Sequence, residues 1–158
     1  MTYRAVKRLP YLAERIAFEF DDSLDGWLPA HDISELVPQN GALFGRISGG
    51  DPYLLRPLLR VDGNRCQSLR LGLRVTAGSG GQLYWSTESS PGFDERKTVR
   101  FQVIPDGRFH EYRIDLGQEP AWKGQTITGL RLDPCNGARA GEFNVDYLRA
   151  DYVSAAPK

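Results

Sequence analysis

The feature that most constrains this chain is a series of short runs in which apolar and polar residues alternate. The clearest run, residues 68–76, reads Ser-Leu-Arg-Leu-Gly-Leu-Arg-Val-Thr, and every second side chain between its ends is aliphatic. A repeat of two residues is typical of a β-strand with one face buried and the other in water. Such runs, each closed by a turn, fill the chain from about residue 14 to residue 153. The pattern predicts an all-β protein, an antiparallel β-sandwich.

The turns between the runs define the predicted domain organisation. We expect one sandwich domain over residues 14–153, an N-terminal arm or short helix over residues 1–13, and a C-terminal tail over residues 154–158. Pro57 interrupts the run at residues 53–59, which is therefore expected at a sheet edge. The sequence Pro105-Asp106-Gly107 is typical of a tight hairpin turn. The predicted strands cover residues 16–21, 27–33, 42–47, 53–59, 69–75, 82–87, 97–104, 109–116, 127–132 and 143–153.

Composition excludes several classes of partner. The 158 residues are enough to bury a sizeable core. Twenty basic residues balance twenty acidic ones, which argues against nucleic acid or an anionic membrane as the partner. No run of about 18 apolar residues occurs, and the basic residues Arg4, Lys7 and Arg8 are not followed by the apolar segment of a secretory signal. The chain is thus expected to be a cytosolic protein, or a domain cut from a larger extracellular or periplasmic protein.

Catalytic signatures are not evident in the sequence. The two histidines, His31 and His110, stand in no recognisable arrangement with a nucleophile. Cys66 and Cys135 are far apart, and no pair of histidines has zinc-ligand spacing. The two thiols would form a disulfide only if the fold joins their strand ends, and are free otherwise. We therefore expect a protein that is not an enzyme and has no catalytic residues.

The polar faces of the predicted strands carry planar groups in fixed positions. If these strands share one sheet, its outer surface is a field of guanidinium, amide and carboxylate groups, which suits a hydroxyl-rich ligand. The alternative is a solvated face crossed by ion pairs. The residues concerned are Arg70, Arg74, Arg100, Gln102, Glu111, Arg113, Asp115, Arg131 and Asp133.

Several short motifs point to a known family. Phe18-Glu19 is followed by Gly26-Trp27, and the last run reads Phe143-Asn144-Val145-Asp146-Tyr147-Leu148. With the segments at residues 50–53, 83–85 and 129–134, this order resembles galactose-binding-like jelly-roll domains, as in non-catalytic carbohydrate-binding modules of bacterial polysaccharide-active proteins. The resemblance covers residues 14–153.

The resemblance implies a jelly-roll fold, a carbohydrate partner, a monomer and an attached catalytic domain in a larger chain. It also implies a structural calcium ion between the first and last strands, with Glu19 and Asp146 as its ligands. Carboxylate and carbonyl oxygens are the ligands that calcium prefers.

A sugar site needs an exposed aromatic ring beside polar planar groups. Trp122 lies in a polar loop at residues 119–124, where it either stacks on a ligand or caps the end of the sandwich. The alternation favours Tyr84 pointing outward, whereas Trp27 and Trp85 fit the core. The site is placed either on a sheet face or at the loop tips around Trp122. The alternative function is a structural or protein-docking domain, which needs a contiguous apolar patch. The predicted ligand-binding residues are Trp122, Tyr84, Arg70, Arg74, Arg100 and Gln102.

Overall fold

The computed structural model describes residues 11–153, which form twelve strands in two antiparallel sheets and one short 3-10 helix, Gly63–Arg65. The prediction of an antiparallel β-sandwich is confirmed. Residues 1–10 of the predicted N-terminal arm (residues 1–13) and the predicted C-terminal tail, residues 154–158, lie outside the described residues. The strands are β1 Ala17–Phe18, β2 Leu28–His31, β3 Ile33–Gln39, β4 Ala42–Ile47, β5 Tyr53–Arg56, β6 Val61–Asp62, β7 Cys66–Val75, β8 Gly80–Thr87, β9 Thr98–Gln102, β10 Phe109–Asp115, β11 Thr126–Asp133 and β12 Gly141–Tyr152.

The two sheets are named here sheet I and sheet II. Sheet I has the order β10-β7-β12-β4-β3, with β1 paired to β12. Sheet II has the order β2-β5-β11-β8-β9, with β6 paired to β11. Many consecutive strands lie in different sheets, so the chain crosses repeatedly from one layer to the other. Within the described part of the chain, no helix is long and apolar enough to span a membrane.

The core lies between the sheets and is formed by the aliphatic half of each alternating run. Leu71 and Leu73 of sheet I are fully buried, as are Leu83 and Leu130 of sheet II. Trp27 and Trp85 belong to this core, as predicted. Burial of this apolar surface is the main contribution to stability, at about 25 cal/mol per Å².

The two cysteines are free and buried. They therefore do not form the disulfide that the sequence left open. Burial raises the pKa of both Cys66 and Cys135 to about 11, so both thiols are protonated and unreactive at neutral pH.

The first predicted strand is much shorter than expected. Only Ala17 and Phe18 pair with β12, because Phe20 adopts a positive φ of 55° that ends the extended backbone. The carboxylate of Asp25 accepts hydrogen bonds from the backbone amides of Glu19 and Phe20 at 3.1 and 3.0 Å. These bonds fold the segment into a turn, where the sequence predicted a strand to residue 21.

Two further local predictions are wrong. The segment that begins at Tyr53 is not an edge strand, because β5 pairs with β2 on one side and with β11 on the other. Pro57 lies just after the end of β5, where its missing amide does not interrupt the ladder. The turn at residues 105–107 is not a hairpin, because β9 belongs to sheet II and β10 to sheet I.

Candidate ligand-binding site

The outer face of sheet II combines aromatic rings with planar polar groups. In β8, Leu83 and Trp85 point into the core, so Gln82 and Tyr84 point outward. The strand register places His31 opposite Tyr53 and Arg131 opposite Tyr84. Gln82 lies between Asp133 on one neighbouring strand and Arg100 on the other. We call this surface the sheet II face; it consists of His31, Tyr53, Gln82, Tyr84, Arg100, Arg131 and Asp133.

Arg131 is the centre of the sheet II face. Its guanidinium carbon lies 3.6 Å from the ring centroid of Tyr53 and 4.4 Å from that of Tyr84. Asp133, which is 1% exposed, accepts hydrogen bonds from Nε and Nη2 of Arg131 at 2.8 and 2.9 Å. Burial raises the pKa of Asp133, and the adjacent guanidinium opposes that effect by favouring the carboxylate. The result is a planar cation held rigidly between two aromatic rings.

A second set of polar contacts borders Tyr84. Its hydroxyl donates a hydrogen bond of 2.6 Å to the carboxylate of Glu95, which also accepts one of 3.1 Å from Arg100. Burial and the hydrogen bond to Glu95 raise the pKa of Tyr84 to about 12. The hydrogen bond from Tyr84 in turn lowers the pKa of Glu95. Glu95 comes from the loop between β8 and β9, so this loop contacts the outer side of sheet II through Glu95.

The opposite side of the sheet II face is formed by two stacked rings. The rings of His31 and Tyr53 lie parallel, at 5.2 Å between centroids and 7° between planes. Nδ1 of His31 lies 2.8 Å from the carbonyl oxygen of Asp51, which fixes the imidazole ring. Half of the His31 side chain remains exposed. A flat aromatic surface therefore borders the solvent on this side.

Gln82 provides the most unusual polar group on this face. Gln82 is 3% exposed. Its side-chain Nε2 is buried and has no hydrogen-bond partner among the described residues. Leaving a buried amide donor unsatisfied costs about 1–3 kcal/mol. Because this atom is buried, a ligand on the face could reach it only after a neighbouring side chain moved.

The charges of the face are paired within it. Arg131 is neutralised by Asp133, and Arg100 by Glu95. The surface therefore presents directed donors and acceptors without a strong net charge. It suits an uncharged ligand with many hydroxyl groups better than a phosphate or a polyanion.

The predicted ligand-binding residues are divided between the two sheets. Tyr84, Arg100 and Gln102 lie on the outer side of sheet II. Tyr84 is 6% exposed, so it is not the exposed stacking ring that the sequence predicted. Arg70 and Arg74 lie on β7, on the outer face of sheet I. The condition for one continuous polar field, that these strands share one sheet, is not met. Alternation indicates which side of a strand is polar but not which sheet contains the strand.

Trp122 is not an exposed stacking residue, and that prediction is wrong. The residue is fully buried. Its Nε1 donates hydrogen bonds of 3.0 Å to the carbonyl oxygens of Gly63 and Cys66. Its ring packs edge-to-face on Trp85, with centroids 5.3 Å apart. Trp122 anchors its loop to the core.

The residues predicted to bind calcium do not fit that role well. Both carboxylate oxygens of Glu19 accept hydrogen bonds of 2.7 Å from Arg149. A cation bound by Glu19 would meet the positive charge of Arg149, while Asp146 is exposed on β12. Among residues 11–153, no group of three or more acidic, histidine or cysteine side chains is arranged to hold a metal ion. The calcium ion remains a prediction from the resemblance, and no step of the proposed function depends on it.

Several residues of the sheet II face were absent from the predicted site. Arg131 and Asp133 were recognised only as outward polar residues, and Tyr53, His31 and Glu95 were not singled out. The alternation of Gln82 with Tyr84 and of Arg131 with Asp133 was the available signal. The contact between Arg131 and Tyr53 depends on the pairing of β11 with β5, which is not visible in the sequence.

Comparison with known proteins places the fold. No protein-family model matches the chain, and no curated protein matches it. Solved structures do match. The N-terminal cellulose-binding domain of β-1,4-glucanase C from Cellulomonas fimi is 13% identical, with a TM-score of 0.61 over 91% of this chain and 100% of that domain. A carbohydrate-binding module of family 28, specific for non-crystalline cellulose, is 16% identical, with a TM-score of 0.61 over 89% of this chain and 96% of that module.

A third match is the family 11 carbohydrate-binding module of a cellulosomal cellulase from Clostridium thermocellum. It is 14% identical, with a TM-score of 0.58 over 90% of this chain and 96% of that module. At such low identities these likenesses establish the fold. The chain has the jelly-roll β-sandwich fold that these carbohydrate-binding modules share, and the fold prediction is confirmed.

Proposed function

We propose that this chain is a non-catalytic carbohydrate-binding module that recognises a polysaccharide or oligosaccharide through the sheet II face. The observation that carries the proposal is the rigid arrangement of Arg131 between Tyr53 and Tyr84, locked by Asp133. The hydroxyl groups of a sugar bond to planar polar groups, and its C–H faces pack on accessible aromatic rings. The accessible rings here are those of Tyr53 and the half-exposed His31, because Tyr84 is buried. Preorganised side chains lose little conformational entropy on binding, which favours affinity.

A further observation supports a carbohydrate ligand. The solved structures with this fold include modules whose names state that they bind cellulose, and a neutral glucan agrees with the paired charges of the face. Two of these neighbours are named as parts of a glucanase and a cellulase, which supports an attached catalytic domain in a larger chain; the monomeric state rests on the resemblance alone.

The alternative, a protein-docking domain, has less support. Docking needs a contiguous apolar patch, whereas the sheet II face is dominated by charged and polar side chains. The apolar residues Leu28 and Leu55, which lie opposite each other on β2 and β5, are beside this face and are not part of it.

The test is binding of the purified chain to a panel of soluble and insoluble neutral polysaccharides, followed by calorimetry with the best oligosaccharide. Tyr53→Ala removes one ring of the stack, and we expect at least a tenfold loss of affinity in a protein that still unfolds cooperatively, at a slightly lower melting temperature because the contacts with Arg131 and His31 are lost. Tyr53→Phe is the matched control, because it keeps the ring and should retain binding. Wild-type affinity in Tyr53→Ala would place the site elsewhere, and no binding to any glycan would overturn the proposed function.

A further inference from the structure

A groove of about 370 Å³ lies on the outer face of sheet I, on the opposite side of the sandwich from the sheet II face. We infer that this groove is a second glycan-binding site, formed by Arg74, Asn144, Phe109, Gln39, Asn40 and Asp146. We call it the sheet I groove. The inference that its ligand is a glycan rests on the proposed function, but the sheet I groove shares no residue with the sheet II face.

The register of sheet I aligns the chemical groups of the groove in one row. Arg74 lies opposite Phe109 on β10 and opposite Asn144 on β12, and Asn144 lies opposite Phe44 on β4. Strands are spaced about 4.8 Å apart, so Phe109 and Phe44 stand at the two ends of a row about 14 Å long. Two planar polar groups, a guanidinium and an amide, occupy the middle of this row.

Arg74 is held in place by the protein. Its Nε donates to the carbonyl oxygen of Gly107 at 2.7 Å, and its Nη1 donates to Oδ1 of Asn144 at 2.8 Å and to Glu142 at 3.1 Å. Among the described residues, no hydrogen bond engages its Nη2. Because Asn144 accepts with its oxygen, its own amide N–H groups remain available. The groove thus presents fixed donors whose orientation a ligand does not have to impose.

Phe109 supplies an exposed aromatic surface at the end of the row. The residue is 49% exposed, one of the few large apolar residues with this exposure in the described chain. An aromatic ring beside fixed amide and guanidinium groups offers a pyranose both stacking and hydrogen bonding.

The charges in and around the groove favour a neutral ligand over an anion. Arg74 forms an ion pair with Glu142 at 3.1 Å, and Asp146 adds an exposed acceptor. Gln39 and Asn40 contribute uncharged amides. A sulfate or phosphate group would meet the carboxylates of both Glu142 and Asp146, whereas a sugar hydroxyl both donates and accepts.

Two sites on opposite sheets would make the module bivalent. Each molecule would hold two glycan chains, or two segments of one polysaccharide surface, and would gain avidity without new contacts at either site. A bivalent module also bridges soluble polysaccharide chains, which a module with one site does not.

The experiment is titration of the full chain with the glycan that it binds best, scored by stoichiometry and by turbidity of a soluble polysaccharide. We expect two sites per molecule in the wild type. Phe109→Ala should remove one site and Tyr53→Ala the other, and either substitution should abolish the turbidity, because a module with one site does not bridge chains. Ile104→Ala is the matched control, because Ile104 is 48% exposed and lies outside the groove. Melting temperatures show whether each variant is folded.

The outcomes separate the two proposals. One site per molecule, lost in Tyr53→Ala and intact in Phe109→Ala, would overturn the sheet I groove and leave the proposed function standing. Loss of all binding in Phe109→Ala, with Tyr53→Ala unaffected, would support the groove and refute the sheet II face. A wild-type chain that binds no glycan would overturn both.

Discussion

Replacing Trp122 by alanine distinguishes a structural residue from a ligand-binding one. The substitution empties a fully buried position, and truncation of a buried tryptophan to alanine costs about 3–5 kcal/mol. It also removes the indole donor from the carbonyl oxygens of Gly63 and Cys66. Proteins of this size unfold with free energies of about 5–15 kcal/mol, so the loss is a large fraction of the total.

The assay is thermal unfolding of the wild type and of Trp122→Ala at the same concentration. For a chain of this length, 1 kcal/mol shifts the melting temperature by about 2–4 °C, so the expected decrease is about 6–20 °C. Trp122→Phe keeps most of the ring but not the N–H donor, and should fall between the two. A Trp122→Ala protein with the wild-type melting temperature and no glycan affinity would refute the buried position and restore Trp122 as a stacking residue.

Three further predictions concern ion pairing, metal and thiols. The substitution Glu19→Gln removes the negative charge that pairs with Arg149. Arg149 lowers the pKa of Glu19, so this ion pair stabilises the wild type at neutral pH, and the stabilisation disappears as the pH falls through the lowered pKa. The variant should therefore lose up to about 1 kcal/mol of unfolding free energy at pH 7 and match the wild type near pH 2, as measured by urea unfolding. A chelator should leave the melting temperature unchanged, since Arg149 already neutralises Glu19; a decrease reversed by calcium would show that the ion binds. Cys66 and Cys135 should react with a thiol reagent only after denaturation, and modification of the native protein, detected by mass spectrometry, would contradict their burial.

The alternation of apolar and polar residues predicted the strands that bury one face. It did not predict the segments whose structure depends on a turn or on the strand paired beside them. The strand β4 has the predicted bounds, and the predicted core of β7 lies within a strand that begins earlier. The strand β3 did not emerge as a run of its own, because Pro38 and the irregular pattern of residues 33–39 hide it. It is an edge strand, where a proline is tolerated.

The candidate site was harder to predict than the strands, because it depends on long-range pairing. Outward Tyr84 follows from its buried neighbours in β8, but its contact with Arg131 requires that β8 and β11 be adjacent. The burial of Trp122 depends on Gly63 and Cys66, more than fifty residues earlier in the chain. The polar residues next to Trp122 in the sequence therefore led to the wrong prediction that its side chain is exposed.

The position of the last two strands has a consequence for how the protein folds. The strand β11 lies in the middle of sheet II, and β12 pairs with β1, β4 and β7 in sheet I. Neither sheet can form completely until the final third of the chain is available, because β11 and β12 lie inside the sheets. The strand pairs that complete the sheets join residues far apart in sequence. Folding of such non-local topologies takes about milliseconds to seconds. During synthesis, the earlier strands therefore have unpaired edges that can associate with other chains. The ribosome-bound chain is the state with the highest tendency to aggregate.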